Sequence, residues 1–221
     1  MIRGDPILLK ALCVGRAQPF RGGELSAFVK MPVDGPVAIT RLGLAGDEQV
    51  ETAHGGPDMA VHCYPQDHVA FWRERIGDHP LLHDAGAFGT NLALEGLHET
   101  VLHIGDRFRL GTALLQISQP RKPCWKIEHR FGHKGMVAAI LESSRSGWYF
   151  RVIEQGVAQA GDALTLLQRG SAEWKVERVF DVLWGTGAST GRKDAGALSD
   201  LAGVSTLSTE LREIARSRAG G

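Results

Sequence analysis

Cysteine is scarce in this chain: Cys13, Cys63 and Cys124 are the only three among 221 residues. An odd, sparse set excludes a disulfide framework and fits a reducing cytosol. Net charge is lacking as well. Lys and Arg together number 25, Asp and Glu 25, giving a formal charge of zero at pH 7. Neither nucleic acid nor an acidic membrane surface is then an expected partner, because both are held by an excess of cations. Long apolar runs are missing. The opening MIRGDPILLKALCVG is flanked or broken by Asp5 and Lys10 and reads as a first strand, not as a leader peptide or membrane span. Also absent are a GxxxxGK[ST] phosphate loop, a GxGxxG after a strand and a GxSxG elbow, which removes the readings those motifs carry.

What the chain does have is ordinary globular composition, 43% hydrophobic and 23% charged, and enough length for one medium domain with a small appendage. Its 28 glycines punctuate short apolar runs. Strands are expected at Ile7–Val14, Val37–Ile39, Ala60–Cys63, Asn91–Leu94, Arg107–Leu110, Ala113–Ser118, Trp148–Ile153 and Ala163–Leu167, from β-branched and aromatic content between glycines. FRLGTALLQIS predicts a hairpin turning at Gly111-Thr112. Two helices interrupt the strands: PQDHVAFWRERIG, with Val69, Trp72 and Ile76 at helical spacing, and Met136 to Glu142. Without βαβ alternation, the fold expected is α+β and mostly β, an antiparallel barrel-like sheet with inserted helices over residues 1–168. Residues 169–221 read as three short helices, the first capped by Ser171 and the last by Ser208, too small to stand alone and so docked on the sheet.

Chemistry concentrates at SQPRKPCWKI. Cys124 follows Pro123, and from Arg121 to Lys134 the chain carries Arg121, Lys122, Lys126, Arg130 and Lys134 against a single acid, Glu128. Cations stabilise a thiolate, the form that attacks electrophiles or binds soft metals. Pro120 and Pro123 stiffen the loop on either side. The plain alternative is a structural cysteine in a basic loop. In HGGPDMAVHCYP, Gly55-Gly56 permits a tight turn whose amides can face an anion, and His54 can donate to one; an ordinary turn before a strand accounts for it equally. A zinc site from His54, His62, Cys63 and His68 is disfavoured, since neighbours on a strand point to opposite faces. Asn91, after a glycine turn in GAFGTNLALEGL, can hold a polar ligand edge or simply form the turn. Arg145 and Arg151 bracket Trp148-Tyr149, a pattern suited to a flat anionic ligand or to a solvated strand edge.

These elements, in this order, resemble the MOSC domain family, named for the C-terminal domain of molybdenum cofactor sulfurase, and within it the stand-alone bacterial YiiM-type branch associated with resistance to 6-hydroxylaminopurine. The resemblance is carried by GLAGDEQ (43–49), HGGPDMAVHCYP (54–65), FGTNL (88–92), IGDRFRLGTALLQISQPRKPCWKI (104–127) and GWYFRV…AGD (147–162). It spans nearly the whole chain, and QPRxPCWK is its most specific part. It implies a MOSC-type β-barrel with a three-helix C-terminal segment. It implies molybdenum cofactor (molybdopterin), with Cys124 as the molybdenum ligand and catalytic centre, and with His54, Gly55, Gly56, Asn91, Arg121, Lys122 and Arg151 gripping the cofactor. It further implies a cytoplasmic oxidoreductase that reduces N-hydroxylated small molecules with electrons from a separate reductase. A cofactor or sulfur carrier with a Cys124 persulfide is the alternative, and pyridoxal phosphate is associated with the family as a whole. Thr90 stands where FGENL would have glutamate, and Met59 where lysine is frequent.

Overall fold

The computed structural model describes residues 7–51, 55–186 and 195–220. In chain order, β1 (Ile7–Leu8) and β2 (Ala11–Gly15) precede a small hairpin of β3 (Gln18–Arg21) and β4 (Glu24–Ser26). Then come β5 (Lys30–Pro32), β6 (Val37–Thr40), β7 (Gly43–Leu44) and β8 (Val61–Cys63). Helix α1 (Val69–Ile76) leads to β9 (Leu92–Ala93) and to the hairpin of β10 (Arg107–Leu110) and β11 (Ala113–Pro120). Helices α2 (Lys126–Phe131) and α3 (Met136–Ser143) separate it from β12 (Trp148–Glu154), β13 (Gly156–Ala158) and β14 (Ala163–Gln168). Helices α4 (Val176–Leu183), α5 (Ala195–Ala202) and α6 (Thr209–Ala219) complete the chain.

Nine strands form one sheet in the order β1-β14-β10-β11-β12-β8-β9-β2-β5. Every pair is antiparallel except β8 with β9, joined at Cys63 and Leu92. Ile7–Val14, expected as one strand, divides at Leu9-Lys10, and the reason is topological. β1 pairs with β14 at one edge of the sheet, whereas β2 pairs with β9 near the other. Laid flat, those positions would be roughly 34 Å apart at the usual strand spacing, but the chain between them reaches only about 10 Å. The sheet must therefore curl until its edges nearly meet, and the break is where the first segment passes across the seam.

The concave face is filled by Leu12, Phe108, Leu115, Ile117, Trp148 and Phe150, all under 2% exposed. Burying side chains of this size contributes about 1.5–3 kcal/mol each. The β10–β11 hairpin turns at Gly111-Thr112 as expected, with Leu110 opposite Ala113 and Gly111 at φ +54°. A second cluster of Tyr64, Trp72, Phe88, Ile127, Phe131 and Ile140 packs α1, α2 and α3 together outside the sheet.

Two local expectations change. Ser171 does not cap a helix. Residues 171–175 are not helical: they bend at Ala172-Glu173 and meet the 102–104 segment, with a bridge between Lys175 and His103, Ser171 N–H on Ile104 O and Val176 N–H on Leu102 O, both at 2.9 Å. Trp174 is buried from this irregular stretch, and α4 begins only at Val176. The basic loop, in turn, becomes helical at α2. Its one acid, Glu128, turns inward and accepts from Gly135 N–H at 2.9 Å and Val137 N–H at 3.1 Å, starting α3. Ser208 does cap α6, its Oγ accepting from Leu211 N–H. Leu198, Leu201, Leu207, Leu211 and Ala215 of α5, α6 and their connection share one apolar cluster with Leu102, Ile104 and Ile117.

Candidate functional site

The segment after β11 sets the site. Arg121 N–H donates to Gly147 O at 3.1 Å, tying the loop to the start of β12. Pro123 follows, and Cys124 sits just before α2 with its thiol half-buried. A cleft of about 110 Å³ opens here, with Cys124, Arg121, Lys30, Lys126, His62 and Tyr149 among its walls. Sequence positions far apart meet because β5, β8, β9, β11 and β12 all bring an end to this rim.

The charges in the cleft are mostly matched. Lys30 is paired with Asp47, and Lys126 with Glu51 at 2.7 Å. Burial lowers the Lys30 pKa, while the Asp47 carboxylate opposes that shift. Arg121 differs. It is 6% exposed, lies over the Phe28 ring at 5.5 Å and beside the Tyr149 phenol, and has no carboxylate within ion-pair distance among the described residues. A buried cation left without an anion is costly, so the cleft is suited to receive one.

His62 is the second unusual group. Its Nδ1–H donates to Gly89 O at 2.9 Å, which fixes the tautomer and leaves Nε2 bare. Nε2 is buried and has no partner. Burial, reinforced by the nearby Arg121 charge, holds the imidazole well below its ordinary pKa of 6.5, so it is neutral. Burial likewise pushes the Tyr149 phenol up.

Asn91 lines the cleft but spends its polar atoms on the protein. Oδ1 accepts from His62 N–H at 3.0 Å, and Nδ2 donates to Cys13 O at 3.1 Å and to Asp47 Oδ2 at 2.9 Å. It is a strut that holds β2, β8 and the Asp47 turn in register. Behind the site, buried Glu99 accepts from His68 Nε2 at 2.9 Å and from Gly147 N–H at 2.6 Å. Burial alone would raise the Glu99 pKa. The His68 and Gly147 hydrogen bonds outweigh it and hold the carboxyl below its ordinary 4.5.

Of the residues singled out from the sequence, Cys124, Arg121 and Asn91 come together. Lys122 is exposed and is not among the residues lining the cleft. Gly55 and Gly56 border a neighbouring recess, with Gly56 at φ +96°. Arg151 points elsewhere: its guanidinium pairs with Asp58 at 2.8 Å and donates to Thr206 O at 3.0 Å, tying β12 to the approach to α6. Arg145 lies over Phe71 at 4.3 Å, so the two arginines do not form a clamp on Trp148-Tyr149. His54 lies outside the described residues. Lys126, one of the cations counted around Cys124, and Tyr149, of the aromatic pair, do reach the cleft, whereas Lys30 and Asp47 were not singled out. Asp47 sits within GLAGDEQ, but a lone Lys30 in a short strand gives no local signal.

The MOSC domain family model matches residues 50–165, the stretch that supplies Cys124, Arg121, His62, Asn91 and Tyr149. The chain belongs to the MOSC domain family. Among its relatives, protein YiiM of Escherichia coli is 39% identical over 171 residues, covering 77% of this chain and 76% of that protein. A Gibberella moniliformis protein named "Reductase" is 38% identical over 164 residues, 73% of this chain but only 29% of that longer protein. The crystal structure of YiiM from Geobacillus stearothermophilus superposes with a TM-score of 0.81 at 32% identity, covering 97% of this chain and all of that one. The mixed, mostly β architecture is thus the family's own. MOSC domains are associated, as a family, with molybdenum cofactor and oxidoreductase chemistry.

Proposed function

We propose that this chain is a molybdenum-cofactor-dependent oxidoreductase that reduces N-hydroxylated compounds, N-hydroxylated purine bases among them, as a detoxifying step in the cytoplasm. A separate reductase supplies the electrons. One observation carries the reading. The Cys124 thiol borders the same cleft as a buried Arg121 without a carboxylate partner and a neutral His62 with a bare Nε2. A soft ligand beside an unneutralised guanidinium fits an anionic cofactor bearing a soft metal. The reductase-named fungal relative supports the reaction class.

In this reading Cys124 holds the molybdenum and Arg121 faces the anionic portion of the cofactor. Bound there, the cofactor supplies a two-electron centre for cleaving the N–O bond. The Lys30–Asp47 and Lys126–Glu51 pairs keep the flanking walls neutral, so that Arg121 dominates the local field. His62 accepts a hydrogen bond and does not donate a proton. Converting the hydroxylamine to amine and water takes up two protons with the two electrons. Among the described residues no helix is long and apolar enough to cross a membrane.

The reading is tested by reduction of 6-hydroxylaminopurine with a chemical electron donor, wild type beside Cys124→Ser. Loss of turnover in the variant supports it. Equal turnover sinks it, and a Cys124 persulfide mass without bound molybdenum would establish the sulfur-carrier alternative instead.

A further inference from the structure

On the outer face of the sheet one row of side chains crosses four strands. Gln168 of β14, Arg107 of β10, Gln116 of β11 and Arg151 of β12 stand opposite one another in turn. Residues directly opposite share a face, and Phe108, next to Arg107, fills the inner one. Most of the row is spent within the protein. Gln116 Nε2 donates to Gly105 O at 3.3 Å, and its Oε1 accepts from Arg151 Nη1 at 3.2 Å. Arg151 is neutralised by Asp58 at 2.8 Å. Arg107 is the exception. Its Nε is buried without a partner, and its guanidinium makes neither a hydrogen bond nor an ion pair among the described residues. A partly dehydrated cation without an anion is unfavourable.

The accessible part of Arg107 lines a recess of about 880 Å³, bounded by this face, the segment after β14, and α5 with its connection to α6. Small-molecule sites span roughly 300–1,000 Å³. The connection rests directly on the sheet: Gly105 has φ +89°, and an added Cβ there would meet Thr206 Oγ1 at 2.8 Å. Ser171, Ser205 and Thr206 bring hydroxyls to the walls, and none of the three donates to the protein among the described residues. The other charges leave Arg107 in command. Arg169 is held by Asp106 at 2.7 Å, and Glu173 by Arg178 at 3.0 Å. Asp200 is exposed, so its field is weak in water. A free guanidinium fork beside hydroxyl donors is the chemistry that receives an oxyanion.

We propose that this recess is a second binding site, which takes a small molecule through an oxyanion group, carboxylate or phosphate. The anion lies on the Arg107 guanidinium and accepts from the hydroxyls of Ser205 and Thr206. It thereby joins β10 to the connection between α5 and α6, and its occupation fastens the C-terminal helices to the sheet. The site shares no lining residue with the Cys124 cleft, and the assignment does not depend on the reductase reading.

The test is the thermal midpoint of the full chain, at constant ionic strength, against inorganic phosphate, glycerol 3-phosphate and succinate. At least one of the three should raise the midpoint, by about 5–10 °C at a hundred times its Kd. A response to succinate alone assigns a carboxylate. A response to the two phosphates, or to the ester alone, assigns a phosphate. Arg107→Gln should weaken the binding at least tenfold, and Ser205→Ala combined with Thr206→Val about fivefold. The double variant carries the test if Arg107→Gln does not fold. Arg121→Gln, which removes the free cation of the Cys124 cleft, should keep the response. A midpoint unmoved by all three anions, or an equal rise in Arg107→Gln, would overturn the proposal. So would a response lost in Arg121→Gln and kept in Arg107→Gln, which would put the anion at Cys124.

Discussion

Asn91→Ala should destabilise the protein by about 2–4 kcal/mol even with no cofactor bound. The magnitude follows from three hydrogen bonds. Removing Oδ1 strands the buried His62 N–H, a loss of about 1–3 kcal/mol, since that amide has no other acceptor on its strand edge. Removing Nδ2 costs less. Cys13 O tolerates under-satisfaction better than an N–H does, and Asp47 keeps Lys30 and the Gly15 N–H at 2.7 Å. About 1 kcal/mol is appropriate for that side. The assay is urea unfolding of metal-free protein, read as a fall in midpoint at constant slope. Asn91→Asp should be worse, because it sets a second carboxylate against Asp47. Exposed Lys122→Ala is the control and should stay within about 0.5 kcal/mol. A change below about 1 kcal/mol for Asn91→Ala would refute the strut and return Asn91 to a direct role in gripping ligand.

Other outcomes follow from the same interactions. His68→Ala should cost about 1.5–3 kcal/mol, measured by denaturant unfolding at pH 7, because it takes the Nε2 hydrogen-bond donor away from the buried Glu99 carboxylate. Glu99 has a lowered pKa in the fold, so its contribution is present above its ordinary 4.5 and is lost as pH falls through the lower folded value. Unfolding midpoints between pH 5 and pH 3 should show this, and Glu99→Gln should flatten the decline. His62 is held neutral, so the unfolded chain binds the extra proton and stability falls as pH drops below 6.5; His62→Gln should remove that part of the slope. Gly147→Ala should destabilise by more than about 1 kcal/mol, since Gly147 sits at φ +69° and an added Cβ would meet Cys63 O at 2.5 Å. A thermal midpoint equal to wild type would contradict that.

The sheet was legible because its strands are short apolar runs fenced by glycine, a signal that is local. Arg107–Leu110, Ala113–Pro120, Trp148–Glu154 and the Gly111-Thr112 turn fall where the residues put them. The split of the first strand was not legible, since it comes from which edges β1 and β2 reach. The helix after Cys124 was hidden by a proline-rich, basic context, and its stabilising contact, Glu128 to the α3 amides, joins residues that lie seven and nine apart. In the site, Cys124 and Arg121 stood out because charge and proline density mark them within ten residues. Lys30, Asp47 and His62 meet them only through pairing between distant strands, and no spacing along the chain reports that. Arg151 looked like a ligand clamp beside two aromatics, but its partner Asp58 lies 93 positions away.

The central claim is that Cys124 anchors molybdenum. It is tested most directly by the molybdenum and pterin content of protein purified from cofactor-competent cells, wild type beside Cys124→Ser. The wild type should carry near one molybdenum per chain and the variant a small fraction of that, with both folded by thermal unfolding. Equal molybdenum in the two proteins would contradict the account.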